Sequence, residues 1–223
     1  MRDATETIEI GGKKLTLFLP PSYSREPASR RFPCLLVLTA GLKSDVAVAS
    51  LHAEGVLPEM LVAEVAESDH DSPIVDPVAV MTKLAERFRL LDTPEARWIG
   101  GTGHDAITVL RSILDHPETF GAALCLSTSF EGVEGAPPLH SPMLLHLEKE
   151  TTLPMGIRIH LDYGTVGLDE CYEPYHRDLG AILRGKGWKE GREFQINRHH
   201  GGSQEIASWQ QRVVPALRWL ARR

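Results

Sequence analysis

Three features of the chain predict an α/β fold with a mainly parallel central sheet, an antiparallel N-terminal edge and helices on both faces. Short continuous apolar runs alternate with helix-period segments. A hairpin-like stretch of alternating residues precedes them. A glycine cluster stands where one strand passes into the next helix. Strands alternating with helices imply right-handed crossovers, which leave neighbouring strands parallel.

Thr5–Leu19 alternates as two strands joined at Gly11–Gly12, and Pro20–Pro21 ends it. The run Cys34–Leu38 is apolar throughout, as in a strand buried on both faces, and Thr39-Ala40-Gly41 breaks it. Val46–Glu54 reads as a short helix and Met60–Val65 as the next buried strand. Val78, Met81, Leu84, Ala85 and Phe88 recur at helical spacing over Asp76–Leu90, with Pro77 suited to the first turn. Trp98-Ile99 precedes the glycine cluster, Ala106–Leu114 is its helix, and Ala122–Leu126 is a strand. Glu131–Pro142, rich in Gly and Pro, reads as a loop. Strands at Ile157–Leu161 and Phe194–Ile196 and helices at Pro174–Arg184 and Glu205–Ala221 complete the pattern.

Composition narrows the function classes. The 223 residues, 42% of them hydrophobic, suit one domain spanning 1–223, with no repeat or linker dividing it. A net charge of -6 and scattered basic residues argue against a nucleic-acid partner. No run approaches the roughly 20 apolar residues of a membrane span. The N-terminus has no apolar signal segment, so a soluble, cytoplasmic protein is expected. Cys34, Cys125 and Cys171 are too few and too scattered for a disulfide framework or zinc site, and the first two sit in apolar runs as small hydrophobes. No metal or other cofactor is expected, and the oligomeric state is open.

The segment Ala96–Phe120, ARWIGGTGHDAITVLRSILDHPETF, has the frame of a nucleophile elbow, G-x-S-x-G, between a strand and a helix. One register lays Gly101, Thr102, Gly103, His104 and Asp105 on the five positions, so the nucleophile's place falls on Gly103. Ligands of open α/β sheets sit beyond the carboxyl ends of the strands. Those ends carry Thr39–Leu42, Gly101–Asp105, Asp162–Thr165 with Asp169-Glu170, and Asn197–Gln204.

On LTLFLPPSY, RFPCLLVLTAG, ARWIGGTGHDA, HPETFGAALCLS, LDYGTVGLDECYEPYH and GGSQEIASWQQRVVPALRWL, the chain resembles the esterase D and enterochelin esterase group of α/β-hydrolases. The likeness covers nearly the whole chain. It implies an α/β-hydrolase fold and a serine-esterase ancestry, with the acid at Asp169; Asp162 is a second candidate for the acid, at a position where the group commonly has a structural aspartate. At the reactive positions the chain departs from the group. Counting back from Pro117 and Phe120, the serine falls on Gly103; counting back from Trp209, the histidine falls on Gln204. The strand that ends in His-Gly in that group ends here in Thr39-Ala40-Gly41.

Ester hydrolysis by this route needs an oxygen nucleophile, an imidazole and a carboxylate that holds the imidazole. Glycine has no such oxygen, and a glutamine amide is no base at neutral pH. The expectation is therefore a ligand- or partner-binding pseudo-hydrolase. Other readings stay open at this point. A one-residue shift puts Thr102 at the nucleophile position, although a β-branched residue suits a strained turn poorly. His104 or His199 could serve as a relocated base, whereas His199 and His200 read first as solvent-exposed loop residues. The group His104, Asp105, His199 and His200 lacks metal-ligand spacing. Gly41, Leu42, Asp105, His199 and His200 are expected to line the pocket. Amides at Leu42 and His104 could receive an anion or carboxylate. Asp69, His70 and Asp71 would lie at the rim, and Trp98, Trp209 and Trp219 in the core.

Overall fold

The computed structural model describes residues 5–65, 76–130, 141–150 and 152–222. Among them, eight strands form one sheet in the order β1-β2-β4-β3-β5-β6-β7-β8. Strands β1 (Thr5–Ile10) and β2 (Lys13–Phe18) are the antiparallel hairpin, joined at Gly11–Gly12. Strand β2 pairs antiparallel with β4 (Leu61–Val65), and every pair beyond it is parallel. The remaining strands are β3 (Cys34–Val37), β5 (Arg97–Thr102), β6 (Ala122–Leu126), β7 (Arg158–Tyr163) and β8 (Phe194–Arg198).

Helices cover both faces, as a parallel sheet requires. They are α1 (Ser44–Ala53), α2 (Pro77–Arg87), α3 (Gly103–Asp115), α4 (Pro142–Lys149), α5 (Glu173–Gly185) and α6 (Ile206–Leu220). Side chains alternate along the strands to feed two cores. Cys34, Leu36, Ile99, Ala123 and Cys125 face one side, where α2, α3, α4 and α5 contribute Met81, Leu110, Leu144 and Leu179. Leu35, Val37, Trp98, Leu124 and Leu126 face the other, against Leu51 of α1 and Val213 and Leu217 of α6. Each fully buried Leu or Val contributes roughly 1.5–3 kcal/mol relative to exposure. That alternation fixes the register, because a one-residue slip would exchange the two cores.

Helix α2 begins where its cap chemistry dictates. The Asp76 carboxylate accepts from the Val78 and Ala79 amides at 3.0 and 3.2 Å, with Pro77 in the first turn. Two elements correct the sequence expectation. Helix α4 follows directly on the Gly/Pro-rich stretch, and a 3₁₀ turn at Gly167–Cys171 stands between β7 and α5. The triplet Asp69-His70-Asp71 lies outside the described residues, as does most of the expected loop at 131–142. Cys34 and Cys125 are fully buried, as expected, and burial pushes both thiols up, Cys34 to about 12. Trp98 and Trp219 are core residues, whereas Trp209 is half-buried.

Candidate functional site

The strand-to-helix turn after β5 is closed by small residues. A Cβ placed on Gly101 would stand 3.0–3.1 Å from Val109 and Asp105 of α3, so a side chain there would push the helix away from the strand by a few tenths of an ångström. Thr102 ends the strand in an extended conformation, and Gly103 then turns to φ 54. That left-handed backbone suits glycine and strains most other residues. A Cβ on Gly103 would have one neighbour within 4 Å outside its own turn and helix, the Gln204 Oε1 atom at 3.8 Å. Residues 101 positions apart in sequence thus meet at this turn.

Gln204 is held in its orientation. Its Nε2 donates to Tyr172 Oη, and the tyrosine hydroxyl donates to Ser129 Oγ at 2.9 Å. The Ser129 amide returns to the Gly103 carbonyl at 3.0 Å, which ties this string of residues back to the turn.

Thr102 is buried, and its hydroxyl donates to Thr39 Oγ1 at 3.3 Å. The Thr39 oxygen also accepts from the Thr102 amide at 3.0 Å and donates to Asp105 Oδ2 at 2.8 Å, which uses all its bonding capacity. Burial pushes the Asp105 carboxyl above its usual range, against this hydrogen bond and nearby His104 and Lys13, which lower it. His104 is exposed in the first turn of α3.

In the loop after β3, backbone amides turn to a side chain of β4. The Gly41 and Ser44 amides donate to Glu64 Oε2 and Oε1 at 3.3 and 3.2 Å. The Glu64 side chain thus takes up the Gly41 amide, and burial raises its pKa in spite of those bonds. The Leu42 side chain is in the core against α1 and α6.

Below Gln204 lies a buried polar cluster. Asp169, fully buried in the 3₁₀ turn, accepts at Oδ2 from Ser127 Oγ and the Gly164 amide, both at 2.7 Å. Its Oδ1 has no hydrogen-bond partner among the described residues. Ser127, at φ 46, also accepts at Oγ from Trp209 Nε1 at 2.9 Å and Arg212 Nη2 at 3.0 Å. Arg212, only 4% exposed, donates to Asp162 Oδ1 at 3.0 Å and to the Ser203 carbonyl at 2.9 Å. Its Nη1 lies 3.9 Å from Asp169 Oδ2, so one guanidinium faces two buried carboxylates.

His199 departs from its expected place in solvent. It is half-buried with Nε2 3.3 Å from Asp162 Oδ2, within ion-pair range but out of line for a hydrogen bond. His200 is exposed. No group of three or more metal-ligating side chains occurs among the described residues.

Of the expected site residues, Gly103 and Gln204 meet directly. Asp169 joins them through Tyr172, whose amide donates to the Asp169 carbonyl at 3.1 Å. Sequence reasoning missed Ser127, Arg212, Tyr172 and Glu64. Arg212 carried a signal, since helical spacing places it on the same stripe of α6 as Val213, Ala216 and Trp219.

No family model and no curated protein sequence matches the chain. Solved structures do. A ferulic acid esterase superposes with a TM-score of 0.71 at 13% identity over 98% of this chain and 97% of its own. The fluorophosphonate-binding serine hydrolase F of Staphylococcus aureus gives 0.71 at 15% identity, with both chains covered completely. The ferric enterobactin esterase of Salmonella typhimurium gives 0.75 at 17% identity over 99% of this chain, which spans 58% of the esterase. The molecule therefore has the α/β-hydrolase fold as esterases carry it. No helix among the described residues is long and apolar enough to cross a membrane.

Proposed function

We propose that this protein is a pseudo-hydrolase. It binds a small ligand or a partner at the turn where esterases of this fold cleave their substrates, and it does not hydrolyse esters by a serine mechanism. Gly103 takes the nucleophile's position, Gln204 the base's and Asp169 the acid's, with Gly41, Leu42, Asp105, His199 and His200 around them. The fold alone would not carry this reading, because function resides in the site. The observation that supports it is the meeting of Gly103, at φ 54, with Gln204 Oε1. Neither residue can attack a carbonyl or take a proton at neutral pH.

A second reading is an active carboxylic-ester hydrolase using Thr102, or a base at His104 or His199. The His199–Asp162 pair at 3.3 Å favours it, as a histidine held beside a carboxylate. The hydrogen-bonding of Thr102 to Thr39 counts against Thr102 as nucleophile.

The test is fluorophosphonate labelling together with turnover of p-nitrophenyl butyrate. The wild type is expected to show neither, while the double variant Gly103→Ser/Gln204→His gains both. An imidazole at position 204 would offer a donor within the loop that faces Asp169, and turnover on the order of 100-fold above the buffer rate is expected. Saturable wild-type turnover that disappears in Thr102→Ala or His199→Ala would overturn the proposal in favour of the second reading.

A further inference from the structure

We infer that the Gly103 turn selects a neutral ligand carrying a hydrogen-bond donor, an amide or an alcohol, over an ester or a carboxylate. This rests on the pseudo-hydrolase reading and deepens it by naming the chemistry that the turn receives.

The first argument is the orientation of one side-chain amide. With Nε2 committed to Tyr172 Oη, and the tyrosine proton committed to Ser129 Oγ, Gln204 directs its oxygen at the turn. Oε1 accepts no hydrogen bond from the described residues. An amide oxygen is an acceptor only, so its complement is an N–H or O–H group. A glycine at the apex leaves room for that group, because a Cβ there would touch nothing except Oε1 outside its own turn and helix. An ester offers Oε1 no proton. A site built around a polar group rejects analogues that leave the group unpaired, more strongly than it rejects a change in apolar bulk.

The second argument is charge. Asp105 lies in the first turn of α3 beside Gly103, Glu64 grips the Gly41 amide, and Asp169 is buried behind Tyr172. The Arg212 guanidinium is committed to Asp162, Ser127 and the Ser203 carbonyl, which leaves it no role toward a ligand. His104 and Lys13 lie near Asp105 and lower that carboxyl's pKa, while burial raises it. A carboxylate ligand at the apex would lie next to the Asp105 carboxyl, two positions along α3, where like charges oppose one another. A neutral donor meets no such opposition. Apolar surface for the rest of the ligand is offered by Ile206, 40% exposed and two positions after Gln204. A Cβ on Gly41 would lie 3.8 Å from Ile206 Cδ1, which brings the loop after β3 to that apolar side.

The experiment is calorimetric or ligand-observed NMR titration of the full chain with three probes of one shape: 2-phenylacetamide, methyl phenylacetate and phenylacetate. The amide is expected to bind about tenfold more tightly than either of the others. Gln204→Met removes the acceptor and should abolish the preference. Gly103→Ser, which fills the apex with the protein's own hydroxyl, should weaken amide binding and lower the thermal midpoint modestly, because φ 54 strains a residue that carries a Cβ. Ester or carboxylate binding as tight as the amide overturns the inference. So does the absence of amide binding up to about 20 mM, or a preference that survives both substitutions. Hydrolysis of methyl phenylacetate by the wild type would instead remove the pseudo-hydrolase reading beneath it, so the two failures are distinguishable.

Discussion

Arg212 is a long cation with 4% exposure, and it faces Asp162 and Asp169, both fully buried. Burying a charge is tolerable when it is paired and hydrogen-bonded, and removing one partner leaves the other uncompensated. Arg212→Met keeps most of the apolar stem and deletes the charge. It is expected to destabilise the fold by about 3–5 kcal/mol, measured as a drop in the urea midpoint at unchanged slope. Asp162→Asn should cost less, because the Asn oxygen can still accept from the Ser127 amide, 2.8 Å from Asp162 Oδ1, and from Arg212. The cluster also shows where sequence reading stops at the residue scale. Asp162 and Asp169 stand out as acids after a strand, but Ser127 in LSTSF has nothing in its type or spacing to mark it. Its role follows from a left-handed turn and from Arg212, 85 residues away, reaching its hydroxyl.

Loops at the ends of β7 and β8 hold Asp169 and Gln204, and they are locked to each other through backbone. The Thr165 and Val166 amides both donate to the Gly202 carbonyl, at 2.9 and 3.0 Å. A Cβ on Gly164 would sit 2.0 Å from that carbonyl oxygen, and only backbone movement could relieve the clash. Gly164→Ala is therefore expected to cost roughly 1–3 kcal/mol as an overpacked contact. Amide exchange should quicken first at residues 164–169 and 199–204, before the central strands. Uniform loss of protection across the sheet would contradict a local lock. Elements of this kind were legible in proportion to their pattern. Strand β6 matches its expected bounds because five consecutive apolar residues sit between turn signals; α2 starts as expected, where a cap, a proline and a helical stripe agree, and ends at Arg87, three residues before Leu90. Helix α4 was missed since MLLHLEK is short and follows a Gly/Pro-rich run that reads as loop. Its start at Pro142 is the one signal that could have found it.

At the scale of the whole molecule, the sheet order follows from the alternation of strands and helices, and the carboxyl ends of its strands bring the site together. The glycine cluster by itself admits two registers; the count back from Pro117 and Phe120 favours the one with Gly103 at the apex, and φ 54 falls at Gly103 with extended backbone at Thr102. The same packing has a consequence for acid stability. His160 of β7 and His176 of α5 are buried, at 1% and 0% exposure, on opposite sides of the sheet. Burial pulls both imidazoles down from 6.5 to about 4, although Asp162 acts on each in the opposite sense. His176 donates from Nδ1 to the Tyr172 carbonyl at 3.0 Å, while its Nε2 and His160 Nδ1 have no partner among the described residues. A ring depressed in this way is neutral in the fold and takes a proton readily once unfolded. Its contribution is therefore complete above pH 6.5 and is lost as pH falls toward 4. Two such groups predict a fall of about 2 kcal/mol in unfolding free energy between pH 7 and 5.5. Glu64 and Asp105, raised by burial, act with the reverse sign, favouring the folded state as pH falls through the window just above the usual carboxylate values. The histidine effect is consequently cleanest at the upper end of the range. Urea titrations at successive pH values should show it, and His160→Gln and His176→Gln should each remove about half of the slope. A midpoint that stays flat from pH 7 to 5.5 in the wild type would mean that these rings accept protons without leaving the fold.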